Sequence, residues 1–149
     1  DLGADNDAIA LSGVTSTTNS WGRTTLRAQV SGGTTFDSDE VARDGYSLGG
    51  LFGLSGYAER EVRGDTFGYG SLIAYRNFGE QGVLFDLPLY LGGSVETAAI
   101  WNRGEGKGPL RWSGSVFTGA DTPLGPVYLA YGVGGRDRHA VYFNLGRQF

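Results

Sequence analysis

The chain has no cysteine and no methionine, one histidine and one lysine. Without cysteine there is no disulfide framework and no thiolate or zinc–thiolate chemistry. With His139 alone and carboxylates scattered along the chain, no metal site is visible, and no cofactor is expected. The absence of methionine predicts a processed or excised segment, and the opening DLGADND is not a signal peptide. Net charge is −4 and the arginines form no basic run, which argues against a nucleic-acid partner. No apolar run approaches the ~18–20 residues of a membrane helix. Helical periodicity with caps is almost absent. The glycines of 132–135 have no helix after them, so they are not a phosphate loop.

Glycine, by contrast, is abundant. It supplies 27 of 149 residues, roughly two and a half times the usual ~7%. Aromatics make up 13%. A mean hydropathy of −0.21 reads as soluble. A membrane β-barrel escapes that inference, because its apolar band occupies every second residue and averages out.

Period-2 alternation recurs along the whole chain, residues 1–149, with no domain boundary or linker. It predicts strands over 7–18, 23–36, 67–78, 83–101, 110–120, 127–133 and 139–149, with a further glycine-rich strand beginning at 46, about eight in all. Turns fall at 19–22, 79–82 and 134–138, with a charged loop over 37–45. The segment 83–101 alternates longest. Leu89, Leu91, Val95, Thr97, Ala99 and Trp101 share one face, and Tyr90, Gly92, Ser94, Glu96 and Ala98 share the other. Such strands exceed the usual ~5–6 residues and suffice to cross a bilayer at ~9–11 tilted residues.

One stretch does not fit this cadence. YSLGGLFGLSGY at 46–57 begins as a glycine-rich strand and runs into the charged tail AEREVRGD at 58–65. Its glycines permit positive φ and close backbone approach. The loop is too long and too charged for a hairpin turn.

Alternation alone fits both a soluble sandwich with an apolar core face and a barrel with an apolar lipid face. Three features favour the barrel. The strands are long, aromatics sit near their ends (Trp21, Phe36, Phe67, Phe78, Trp101, Trp112, Phe149), and the chain stops on an aromatic. A closed barrel leaves no strand edge unpaired in lipid.

The motifs DTPLGPVYLAYG at 121–132, SLGG at 47–50, LSGY at 54–57, YLGGSVE at 90–96 and YFNLGRQF at 142–149 resemble the barrel of the outer membrane protein 85 (bacterial surface antigen) superfamily. This superfamily comprises barrel-assembly insertases and two-partner secretion translocators. The nearest likeness is to the C-terminal barrel of patatin-like type V secreted phospholipases, though the patatin-type lipase motif is absent. The resemblance implies that this chain is the C-terminal half of a sixteen-stranded barrel. It implies that the loop folds into the lumen and docks its tip (Ser55, Gly56, Tyr57) on an inner wall formed by Glu96, Asp121, Pro123, Gly125 and Pro126. Ser55 stands where the family carries arginine, which leaves three readings open: Arg60 or Arg63 substitutes with Glu96 or Asp121 as partner, the serine is a feature of the patatin-like branch, or Glu96 is solvated lumen lining. The alternation through Phe143, Leu145 and Phe149 resembles the signal read by the barrel-assembly machinery, which implies recognition by β-augmentation on that strand.

An eight-stranded barrel has a lumen just wide enough for side chains. The charged loop does not fit one, so either it points outward or the strands are half of a wider barrel. The other half would come from a further N-terminal segment or from a second copy in a C₂ homodimer. The expected function is an outer-membrane anchor and translocation or assembly module in contact with outer-membrane lipids, without enzymatic activity. The alternatives are a self-contained eight-stranded structural or channel barrel, and an outer-membrane lipid-modifying enzyme using His139 with a distant serine.

Overall fold

The computed structural model describes residues 10–36, 45–79, 88–102, 106–122 and 125–146. Among them there is no helix. The strands are β1 (Ala10–Trp21), β2 (Thr24–Thr35), β3 (Tyr46–Leu48), β4 (Val62–Gly64), β5 (Thr66–Asn77), β6 (Leu89–Trp101), β7 (Arg111–Thr122), β8 (Gly125–Gly134) and β9 (Arg138–Leu145). Seven of them form one antiparallel sheet in the order β1-β2-β5-β6-β7-β8-β9, and β3 pairs only with β4. Each sheet strand lies beside its sequence neighbour, as short connections demand. The sheet is open, with β1 and β9 as its edges.

Local chemistry sets the register. Trp21 faces Thr24 across a two-residue turn whose first residue, Gly22, has φ 59°, the left-handed conformation that such tight hairpins require. The first strand therefore runs through 19–21, where a turn was expected. Asn19 and Ser20 pair with Leu26 and Thr25, and the Ser20 and Thr25 hydroxyls meet at 2.9 Å. Between β2 and β5 the Thr34 and Thr66 hydroxyls are likewise 2.9 Å apart.

The glycine-rich strand expected from 46 stops at Leu48 and pairs with β4 instead of joining the main sheet, so among the described residues that sheet has seven strands rather than about eight. The cause is Gly49-Gly50, both in positive φ (140° and 83°), which turns the chain out of extended geometry. A Cβ on Gly49 would lie 2.0 Å from the Ala58 carbonyl oxygen. The glycine is there for that close approach.

The two faces of the sheet differ in exposure. The apolar face is bare: Val95 is 56% exposed, Val116 62%, Leu129 52% and Phe143 72%. The opposite face is buried, and it carries Ser94, Glu96, Ser113 and Ser115 alongside Ala98, Ile100, Phe117 and Ala130. What buries it is the segment 45–65, lying across the sheet from β5 to β9.

Candidate functional site

The loop is prefolded by its own backbone. The Gly50 N–H donates to the Tyr57 carbonyl (3.0 Å), Gly49 N–H to Gly53 (2.9 Å), and Tyr57 N–H to Leu54 (3.1 Å). Phe52 and Leu54 adopt positive φ (60° and 121°). Non-glycine residues hold such angles only where their surroundings enforce them. Here the enforcement is packing, since Leu54 and Ser55 are wholly buried.

Glu96 is the seat. It is fully buried on β6. Its carboxylate accepts the Ser55 N–H (2.5 Å), the Ser55 hydroxyl (2.8 Å), the Ser113 hydroxyl (2.7 Å) and the Ser94 hydroxyl. Four donors match the number of lone pairs the group offers. Ser94 also meets Ser115 at 2.7 Å, which extends the network onto β7. A buried carboxylate is costly unless its hydrogen bonds are made, and bonds to a charged acceptor are the strong kind. The site thus holds its carboxylate with hydroxyls and one backbone amide.

Gly56 sits directly on β8. A Cβ there would lie 2.5 Å from the Gly134 nitrogen and the Val133 carbonyl carbon, and φ is 87°. Reciprocally, a Cβ on Gly132 would meet the Gly56 nitrogen at 2.7 Å, and one on Gly134 would meet the Tyr57 ring at 2.6 Å. The Tyr142 hydroxyl on β9 accepts from Gly56 N–H (2.9 Å) and donates to the Tyr57 carbonyl (3.2 Å). On the other side, Tyr69 of β5 donates to the Phe52 carbonyl, and Phe52 packs edge-on against Phe117 at 5.1 Å. Arg138 lies over the Tyr57 ring at 4.8 Å and pairs with Glu61 at 2.9 Å. The Ala58 N–H donates to Glu61 (2.8 Å). That backbone bond, with Arg138 assisting, holds the Glu61 carboxyl below its ordinary range.

The structure thus brings Ser55, Gly56 and Tyr57 together with Glu96. It does not bring Arg60 or Arg63 to Glu96. Both are exposed, and Arg63 Nε donates to the Arg60 carbonyl (3.2 Å). In place of an arginine, serine bonds the glutamate directly, and the ion pair among the described residues is Glu61–Arg138. Asp121, Gly125 and Pro126 lie where β7 meets β8, with Asp121 paired to Pro126. The tip rests on the same strand β8, but at its far end, Val133 and Gly134. Asp121 instead accepts the Tyr90 hydroxyl. Phe143 and Leu145 point outward on the edge strand, 72% and 60% exposed. Pro123 and Phe149 lie outside the described residues.

Sequence reasoning missed Ser94, Ser113, Gly132, Gly134, Tyr142, Glu61 and Arg138. A signal existed for some of them. Ser94 shares the period-2 face of Glu96, and Ala130, Gly132 and Gly134 form a row of small residues on alternate positions of β8. His139 is exposed on the apolar face and stacks on Tyr131 at 6.4 Å, whereas the serine cluster lies on the opposite face. No family model, curated protein or solved structure matches this chain.

Proposed function

We propose that the chain is part of an outer-membrane β-barrel of the insertase and translocator superfamily that its motifs resemble. It serves as a membrane anchor and a translocation or assembly module, with the 45–65 loop docked inside. One observation carries this reading: the sheet exposes its apolar face and buries a glutamate and serines on the other. In water that arrangement wastes the hydrophobic effect, whereas in lipid it is the expected one. Strands of 12–13 residues, such as β5 and β6, span ~40 Å, which crosses a ~30 Å hydrocarbon core at the tilt of membrane strands. Exposed aromatics at the two ends, Trp21 and Phe78 at one and Phe36 and Trp112 at the other, suit interfacial girdles.

The docked loop would close a pore or steady the wall from which a client strand departs. Outer-membrane lipids are the first partner. The barrel-assembly machinery is the second, reading the outward apolar row of β9 that includes Phe143 and Leu145. Heat-modifiable migration in detergent gels tests the reading. A folded band that moves on boiling is expected, and an unshifted band from a detergent-independent soluble protein sinks it.

A further inference from the structure

The loop-bearing face carries a second feature at its other end, away from the docked tip. A cavity of about 110 Å³ is lined by Tyr75 of β5, Tyr90 of β6, Phe117 and Asp121 of β7, and Tyr128 of β8. Tyr90 and Glu96 occupy alternate positions of the same strand, so the cavity is on the loop's side of the sheet and not on the bare one. The register explains why four rings gather there. Gly92 lies opposite both Tyr75 and Phe117, and Gly119 lies opposite both Tyr90 and Tyr128. Each glycine leaves bare backbone that a neighbouring ring can cover. A Cβ on Gly92 would meet the Phe117 ring at 2.5 Å, and one on Gly119 would meet the Tyr128 ring at 2.6 Å. Tyr75 and Tyr90 have ring centroids 6.1 Å apart and planes at 76°, so they stand as adjoining walls. Asp121 is exposed and accepts the Tyr90 hydroxyl. Covering glycines would account for the rings alone. It does not account for a space left between them with a carboxylate beside it.

We infer that this cavity holds the head of a small organic cation of the trimethylammonium type. Aromatic faces attract a cation through the ring quadrupole, and more strongly where water is excluded. Phe117 and Tyr128 are buried, so part of the wall is dry. Asp121 supplies the countercharge. No arginine or lysine is among the lining residues. Among the described residues Tyr90 is the one hydrogen-bond donor to the Asp121 carboxylate, which has about four lone-pair sites to offer. A water needs only ~10–15 Å³ of such space, so the cavity admits a compact organic head. The lining also discriminates among cations. A metal ion takes several oxygen ligands, and here there are one carboxylate and phenols. A primary ammonium brings three N–H donors that each need an acceptor. A quaternary head brings none, and walls of ring carbon suit it. Because the cavity faces away from the bare apolar side, its occupant is a free solute and not the headgroup of a surrounding lipid. The inference rests on strand register and does not depend on the membrane reading.

The full chain in a maltoside detergent, which carries no ammonium group, is titrated calorimetrically with four probes. These are choline, the neutral alcohol in which tert-butyl replaces trimethylammonium, ethanolamine, and a phosphocholine-headed detergent. Saturable binding of choline is expected. The neutral alcohol should bind about 10-fold more weakly or worse, because only a cation is drawn to the ring faces. Ethanolamine should also bind more weakly. Asp121→Asn and Tyr75→Leu should each weaken choline by roughly 10-fold, through the lost countercharge and the lost ring face. Tyr131→Leu, which removes a ring from the bare face, should change nothing. No choline binding, or equal binding of the neutral alcohol, overturns the cation site. Choline binding that survives both Asp121→Asn and Tyr75→Leu overturns the cavity as its location. Ethanolamine binding as tight as that of choline overturns the quaternary head. Tighter binding of the phosphocholine detergent overturns the free solute as its source. The alcohol comparison uses the unsubstituted chain, so the test does not depend on any variant folding. Calorimetry reads the cavity and the gel shift reads the barrel, so the two fail separately.

Discussion

At the scale of single residues, the docked loop depends on Gly56, Ser55 and Glu96. Gly56→Ala adds a methyl group where β8 backbone already lies at 2.5 Å, in a left-handed conformation that costs ~1–2 kcal/mol by itself for a residue with a Cβ. The expected outcome is an undocked tip on an intact sheet. Hydrogen exchange checks it: the amides of 55–57 should lose protection while the β6–β7 ladder keeps its own. Ser55→Ala removes one of four donors to Glu96, and hydrogen bonds to charged groups contribute ~1.5–3 kcal/mol. Glu96→Gln should cost more than Ser55→Ala, because its amide nitrogen is a donor facing donors; denaturant titration in lipid ranks the two. Glu61 provides a pH dependence. Its carboxyl is held below its ordinary value of 4.5. Its contribution to docking is therefore fully present above about that pH and is lost as pH falls through the lowered folded-state value. Protease accessibility of 58–63 should rise in strong acid, and Glu61→Gln should abolish that step.

At the scale of strands, an apolar row placed outward makes substitutions discriminating. In lipid, Val116→Arg on the bare face should destabilise by ~2–4 kcal/mol near the bilayer midplane. A surface valine in a soluble protein would tolerate the change within about 0.5 kcal/mol. Urea titration of the liposome-reconstituted chain separates these outcomes. Strand existence and facing were largely legible, because period 2 is imposed by the backbone itself. The residues on the faces of β6, β8 and β9 follow the alternation seen in the sequence. Strand ends were less legible. Asn19, Ser20 and Trp21 read as a turn, yet they pair with β2. The glycine-rich strand from 46 had no legible end, and Gly49 and Gly50 stop it at Leu48.

At the scale of the whole molecule, parity matters. Seven strands, each antiparallel to the next, leave β1 and β9 running in the same direction. Joining β9 to β1, within one copy or onto a second copy around a shared axis, would make a parallel seam. A strictly antiparallel barrel therefore needs an odd number of further strands for this sheet. Two identical seven-stranded sheets related by an axis along the barrel would meet in two parallel seams, and the two-copy route to sixteen needs one more strand per copy. Mass in detergent, with cysteine cross-links from β1 and from β9, reads this directly. A monomer whose two edges cross-link to each other in parallel register would refute it. The loop points the same way. It occupies the buried face from Tyr69 on β5 to Tyr142 on β9, more than the filled interior of an eight-stranded barrel could admit.

Sequence alone determined that this is an all-β chain with long two-faced strands, and that the segment after Gly49-Gly50 is a loop needing a dock. Those properties are local: alternation, glycine content and turn chemistry act over a few residues. Only the tertiary structure decided where the tip docks and what receives it. The Glu96 carboxylate meets Ser55, 41 positions away, and Gly56 meets Gly134 and Tyr142 on strands still further along. Such pairings are set by sheet register and by the path of the loop across five strands. An arginine partner for Glu96 was one reading that charge type allowed. A serine and a backbone amide stand there instead, and they satisfy a fully buried carboxylate without bringing a second charge out of water.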